Sequence, residues 1–282
     1  MRSRHSCIRE LCLKPIYLAR TGGIGIPNGA PPDPPFTLPQ TQLFRVTTPE
    51  EAVQAVDEMA ARKPDFMKVW IDDFHGSLRV KMSPSVYGAA IQEAHKLGFR
   101  AAAHIYYLSD AKSLLNRGAD VLAHGVRDVP VDREFIQLMK ARSAWYIPTI
   151  GLDESTYIFA EHPEWLQDPF LTHALQPALA AQFDDSGWRA NLLNNQKQVG
   201  IAKASVPMNE LNVKTLYDAG VNIGFGTDSG AVPVRIPGFT GHRELELLVD
   251  SVLTRRRRST SPLAELQHCS ILTIGEFWRP EN

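Results

Sequence analysis

Along the chain, short apolar runs alternate with stretches in which apolar positions recur every three or four residues. The first kind reads as buried parallel strand, the second as amphipathic helix. The pattern predicts strands over 15–20, 66–71, 99–104, 120–124, 144–149 and 221–227. Between them it predicts helices over 49–62, 84–97, 109–117, 132–142 and 207–219, a long polar helical stretch over 172–203, and a last helix opening at His242. Thr48 with Pro49 and Glu51 makes a capping box with proline in the first turn, and Gly98, Gly118 and Gly220 stop helices. Gly22-Gly23 are expected to end the first strand. The proline-rich stretch 27–40 is a loop, because proline fixes φ and lacks a donor. Such alternation means crossover units and a parallel sheet, the plan of an α/β TIM-type (β/α)8 barrel. Six strands are legible rather than eight, so the barrel is expected to be incomplete.

A length of 282 residues suits one such domain, for which roughly 250 residues is typical. The 44% hydrophobic and 22% charged fractions exclude a disordered or fibrous chain. Thirty basic against 31 acidic side chains leave a net charge of -1, which gives no attraction to nucleic acid or to an anionic membrane. No apolar run approaches the roughly 18 residues that span a bilayer. The expected partner is a small-molecule substrate, and a homo-oligomer is compatible with the composition. The N-terminus, with Arg2, Arg4, His5 and Arg9, is not followed by the apolar core of a signal peptide. Three cysteines, Cys7, Cys12 and Cys269, form no disulfide framework. The expected location is therefore cytoplasmic, unless a longer parent chain carries a leader.

Lys68, His104, His124 and Asp228 are each read as standing at the C-terminal end of a short apolar run, in that order. In a parallel barrel those ends meet at one mouth. Two neutral imidazoles, a carboxylate and a lysine that carbon dioxide can convert to an anion make an oxygen and nitrogen site for Zn²⁺ or a similar divalent ion. Each residue alone has a duller reading: a barrel-mouth lysine, two structural histidines and a turn aspartate in Asp-Ser-Gly. The functional reading has Asp228 take a proton from activated water and return it to a leaving amine.

The segments Asp65 to Trp70, Ala103-His104, Ala123-His124-Gly125, Gly226-Thr227-Asp228-Ser229-Gly230 and Gly241-His242-Arg243-Glu244-Leu245 resemble the amidohydrolase superfamily, in its branch of imidazolonepropionase-like enzymes and metal-dependent Xaa-Pro dipeptidases. The likeness runs over about residues 13–254. It implies a metal-dependent hydrolase of carbon–nitrogen bonds, with a carboxylated lysine from barrel strand four, one histidine each from strands five and six, and an aspartate from strand eight. Lys68, His104, His124 and Asp228 match these in order. Tyr107, Arg127 and His242, just past strand ends or on the last loop, are candidate substrate contacts.

The superfamily opens its barrel with a His-x-His pair, which this sequence lacks. The six strands are then numbers three to eight, with the first two strands and the accompanying β-sandwich absent, and one metal ion is expected rather than two. Residues 1–12 and the tail 255–282, which begins Arg255-Arg256-Arg257-Arg258, depart from the pattern. They are expected to be aberrant ends of a truncated relative, flanking a partial barrel over 13–254. Two rivals stay open: a barrel lyase or aldolase in which Lys68 forms a Schiff base, and an inactive fragment.

Overall fold

Strand β3 (Phe66–Trp70) shows how the sheet is layered. Met67 and Val69 are buried in the main core, while Phe66, Lys68 and Trp70 point to the opposite face, as a period of two requires. In the computed structural model, which describes residues 21–32 and 43–252, the other strands are β1 (Thr21–Gly25), β2 (Leu43–Arg45), β4 (Arg100–His104), β5 (Val121–Ala123), β6 (Trp145–Ile147) and β7 (Asn222–Ile223). All seven form one parallel sheet in the order β2-β1-β3-β4-β5-β6-β7. Mixed α/β architecture with a parallel sheet is thus observed.

Two expectations are corrected. The described residues form seven strands where six were expected, and two of them, β1 and the short β2 (Leu43-Phe44-Arg45) beside it, fall outside the predicted strands. Gly22 and Gly23 lie inside β1 instead of ending a strand. A Cβ on Gly22 would stand 1.7 Å from the Met59 sulfur of helix α1 (Pro49–Ala60). The bare backbone is what lets that helix pack against the strand. The predicted strand over 15–20, the segments 1–12 and 255–282, the three cysteines and most of the proline-rich loop lie outside the described residues.

Helices α2 (Pro84–Lys96), α3 (Leu108–Asn116) and α4 (Arg133–Arg142) fall where periodicity places them. Short helices follow: α5 (Gly151–Glu154), α6 (Ile158–Glu161), α7 (Pro169–Ala174), α8 (Pro177–Asp184) and α9 (Ser186–Asn194). The polar stretch is therefore broken, with Pro169 and Pro177 each starting a new helix. Helix α10 (Gln196–Asp218) then runs unbroken through Pro207, against the expected gap. Pro207 is exposed, while Ala202, Ser205, Asn209, Val213 and Leu216 pack inward on the other side. Burial along that face outweighs the bond that proline omits. Helix α11 (Phe239–Val252) closes the described chain.

The main core lies between the sheet and its helices, with Ile24, Met67, Ala101, Leu122, Tyr146 and Ile223 from the strands. On the opposite face Ala102 and Val121 pack with Phe66, Trp145 and Ile147. Among the described residues, no helix is long and apolar enough to cross a membrane.

Candidate active site

Strand register sets the stage. Lys68 pairs with Ala102 across β3 and β4, Trp70 pairs with His104, and His104 pairs with Ala123. Lys68 is therefore mid-strand, two residues short of His104, and its long side chain makes up the difference. Its Nζ lies 3.3 Å from His124 Nε2, and the rings of His104 and His124 are 4.6 Å apart.

His124 follows β5 with φ 81, and Gly125 continues at φ 77. A Cβ on Gly125 would come within 2.3 Å of Asn209 Oδ1. Asn209 in turn donates to the carbonyls of His124 at 3.4 Å and Pro148 at 2.9 Å. The sharp exit from β5 thus needs both the glycine and α10. His124 Nδ1 is 2.9 Å from Thr149 Oγ1, which fixes the ring and leaves Nε2 to face Lys68.

His104 Nε2 is 3.4 Å from Asp72 Oδ2, and Phe74 stacks on the same ring at 4.9 Å. Asp72 is fully buried, and its Oδ2 has no hydrogen-bond partner among the described residues. Asp228, beyond β7 at φ 53, is ion-paired with Arg235. Arg127 is buried, donating to Asp153 Oδ2 at 2.8 Å and to the Ile105 carbonyl at 3.1 Å.

Lys68, His104, His124, Arg127, Asp228 and Arg235 line a single cleft of about 560 Å³. Tyr107 and His242 are not among its lining residues. Tyr107 donates to Asp73 Oδ1 at 2.8 Å. His242 lies edge-on to Phe170 at 4.6 Å, beside a separate cavity bordered by Trp165 and Phe239. Sequence reasoning passed over Asp72, His75, Thr149, Asp153 and Arg235. Thr149 sat inside a predicted strand, and the others are polar loop or helix positions that no periodicity marks.

Burial pulls the Lys68 ammonium down to about 8, against the opposing pull of Asp228 and Asp72. Burial, then the charges of Lys68 and His104, hold His124 well below the usual imidazole range. His124 is thereby held in its lone-pair form, and Lys68 gains a neutral fraction near neutral pH; a lone pair is what a cation demands of nitrogen donors. Among the described residues, no three His, Cys, Asp or Glu side chains are arranged to hold a metal ion by themselves. A cation here therefore depends on Lys68. The donor chemistry fits once that amine is included.

No family model matches the chain. Uncharacterized proteins of Mycobacterium tuberculosis and Mycobacterium bovis are 33% identical over 99 residues, which is 34% of this chain and 26% of theirs. Among solved structures, a Xaa-Pro dipeptidase with methionine bound in its active site aligns with TM-score 0.51 and 19% identity, over 83% of this chain and 51% of that one. An ochratoxinase of A. niger gives TM-score 0.53 and 18% identity, over 81% and 43%. An amidohydrolase gives 0.50 and 18%, over 74% and 43%. The chain spans about a quarter of the curated relatives and about half of these structures. At such identities the likeness speaks for the fold alone.

Proposed function

We propose that the chain is a metal-dependent hydrolase of carbon–nitrogen bonds, acting on an amide or peptide-like small molecule. The observation that carries the reading is the approach of Lys68 Nζ to His124 Nε2 at 3.3 Å, inside a cleft that His104 and Asp228 also line. Lys68, His104, His124 and Asp228 would hold a divalent cation, Zn²⁺ by donor type. Such an ion supplies Lewis acidity toward a carbonyl and toward water.

The remaining roles belong to the chain. With its amine near 8, Lys68 has a neutral fraction at neutral pH able to add to carbon dioxide. The nitrogen bonds the carbon and one proton leaves, giving a carbamate with two oxygen donors. Thr149 orients the His124 imidazole, and the buried Asp72 carboxylate stands beside that of His104. Asp228 accepts a proton at its carboxylate and returns it to the leaving nitrogen, which requires Arg235 to share or release it. Arg127, fixed by Asp153, borders the space left for substrate.

A depressed, buried lysine also suits Schiff-base chemistry, which is the second reading. One experiment separates the two. Protein supplied with Zn²⁺ and bicarbonate is assayed for amine release from N-acyl amino acids and dipeptides. The hydrolase reading expects activity that chelator removes and that His124→Ala lowers by about 100-fold. Substrate trapped on Lys68 by borohydride, with no chelator effect, favours the lyase. If neither result is obtained, the chain is inert by itself.

A further inference from the structure

Three consecutive residues of the turn after β3 are left-handed: Phe74 at φ 48, His75 at φ 61 and Gly76 at φ 74. Only the last is glycine. A bulky L residue adopts this conformation at a cost, so two in a row persist only where their surroundings impose it.

Those surroundings are explicit. Asp73 Oδ1 accepts from the Gly76 N–H at 2.9 Å and from the Tyr107 hydroxyl at 2.8 Å. Ser77 N–H donates to the Phe74 carbonyl at 3.1 Å, and Leu78 N–H to the Asp73 carbonyl at 2.9 Å. Phe74 lies parallel to His104, with the planes within 3°. His75 leans on Tyr106 at 4.0 Å. The turn thereby sets both Phe74 and His75 in the cleft wall, next to Trp70.

Neither ring nitrogen of His75 has a hydrogen-bond partner among the described residues. Burial and the nearby Arg127 charge bring its pKa down to about 4, so the ring is neutral at working pH. A neutral imidazole offers one donor and one acceptor. An amide offers one of each in return, whereas a carboxylate would use only the donor.

We propose that His75 is a substrate-contacting residue, which the left-handed turn presents so that its imidazole hydrogen-bonds an amide whose aromatic or apolar acyl group lies against Phe74 and Trp70. This rests on the reading of the cleft as the substrate site, and names the class of substrate it takes.

The test compares wild type, His75→Gly and His75→Asn as full chains, by thermal unfolding and by calorimetric titration with N-benzoylglycine, an aromatic acyl amide. Glycine relieves the backbone, so His75→Gly unfolds at the wild-type temperature or above, yet binds the probe about tenfold more weakly. Asparagine tolerates the left-handed region and keeps both a donor and an acceptor, so it restores most of the affinity. Equal affinity in wild type and His75→Gly, or no binding to wild type, overturns the proposal. So does a melting temperature in His75→Gly lower by more than about 5 °C, which would make His75 a packing residue. Binding without cleavage leaves the His75 contact standing and counts instead against the hydrolase reading.

Discussion

Glu244 is 1% exposed, and its two carboxylate oxygens accept from the Ile150 N–H at 2.9 Å and the Gly151 N–H at 2.7 Å. It holds the turn that carries Thr149, and through Thr149 the His124 ring. Burial raises its pKa to about 7 in spite of those bonds. Because the folded value lies above the unfolded one, the folded state binds the extra proton between about 4.5 and 7, and the contribution of Glu244 to stability falls as pH rises through that window. Urea unfolding at pH 5 and pH 7.5 checks this. Relative to Glu244→Gln, wild type gains at the lower pH, by an amount on the order of 3 kcal/mol at most. The depressed histidines act in the opposite direction, but they are common to both proteins and cancel. Arg127 gives a second residue-scale expectation. Arg127→Met strands the buried Asp153 carboxylate and costs about 3–5 kcal/mol, whereas removing both charges together costs less. Lys68, His104, His124 and Asp228 were legible because each interrupts or ends an apolar run. Asp72, His75 and Thr149 were not, because what marks them is the direction of a side chain or the sign of φ, and neither is written in periodicity.

Among the elements, the helices that the sequence marked well are those with explicit boundaries, such as α1 with its capping box at Thr48 and α4 with Asp132 accepting from the Phe135 N–H. Gly22 reads as a strand terminator in the sequence, and only the packing of Met59 into its space shows why it lies inside β1. Helix α10 was split because Pro207 is a local stop signal, and only the buried face of the whole helix overrules it. That override has a measurable remainder. Pro207 is exposed, so Pro207→Ala is expected to raise stability by about 1–3 kcal/mol in denaturant unfolding. The opposite sign is expected at the exit of β5. Gly125→Ala adds a left-handed Cβ that would meet Asn209 at 2.3 Å. It should lower stability by well over about 1 kcal/mol and shift the His124 ring resonances.

For the molecule as a whole, composition was enough to point to a near-neutral chain of ordinary globular character, and the alternation of elements was enough to point to the parallel sheet. The relative placement of the strands was less readable: β2 is three residues long, and its position next to β1 depends on pairing rather than on pattern. The cleft is likewise a property of the assembled sheet, since its lining comes from the ends of β3, β4 and β5, the loop after β7 and the start of α10. These distant segments must come together to hold a cation. The direct measurement is elemental analysis of protein incubated with Zn²⁺ and bicarbonate and then passed through a desalting column. Wild type is expected to retain about one equivalent of metal, and Lys68→Ala and His124→Ala almost none. Wild type that retains no metal, or variants that retain as much as wild type, would contradict it.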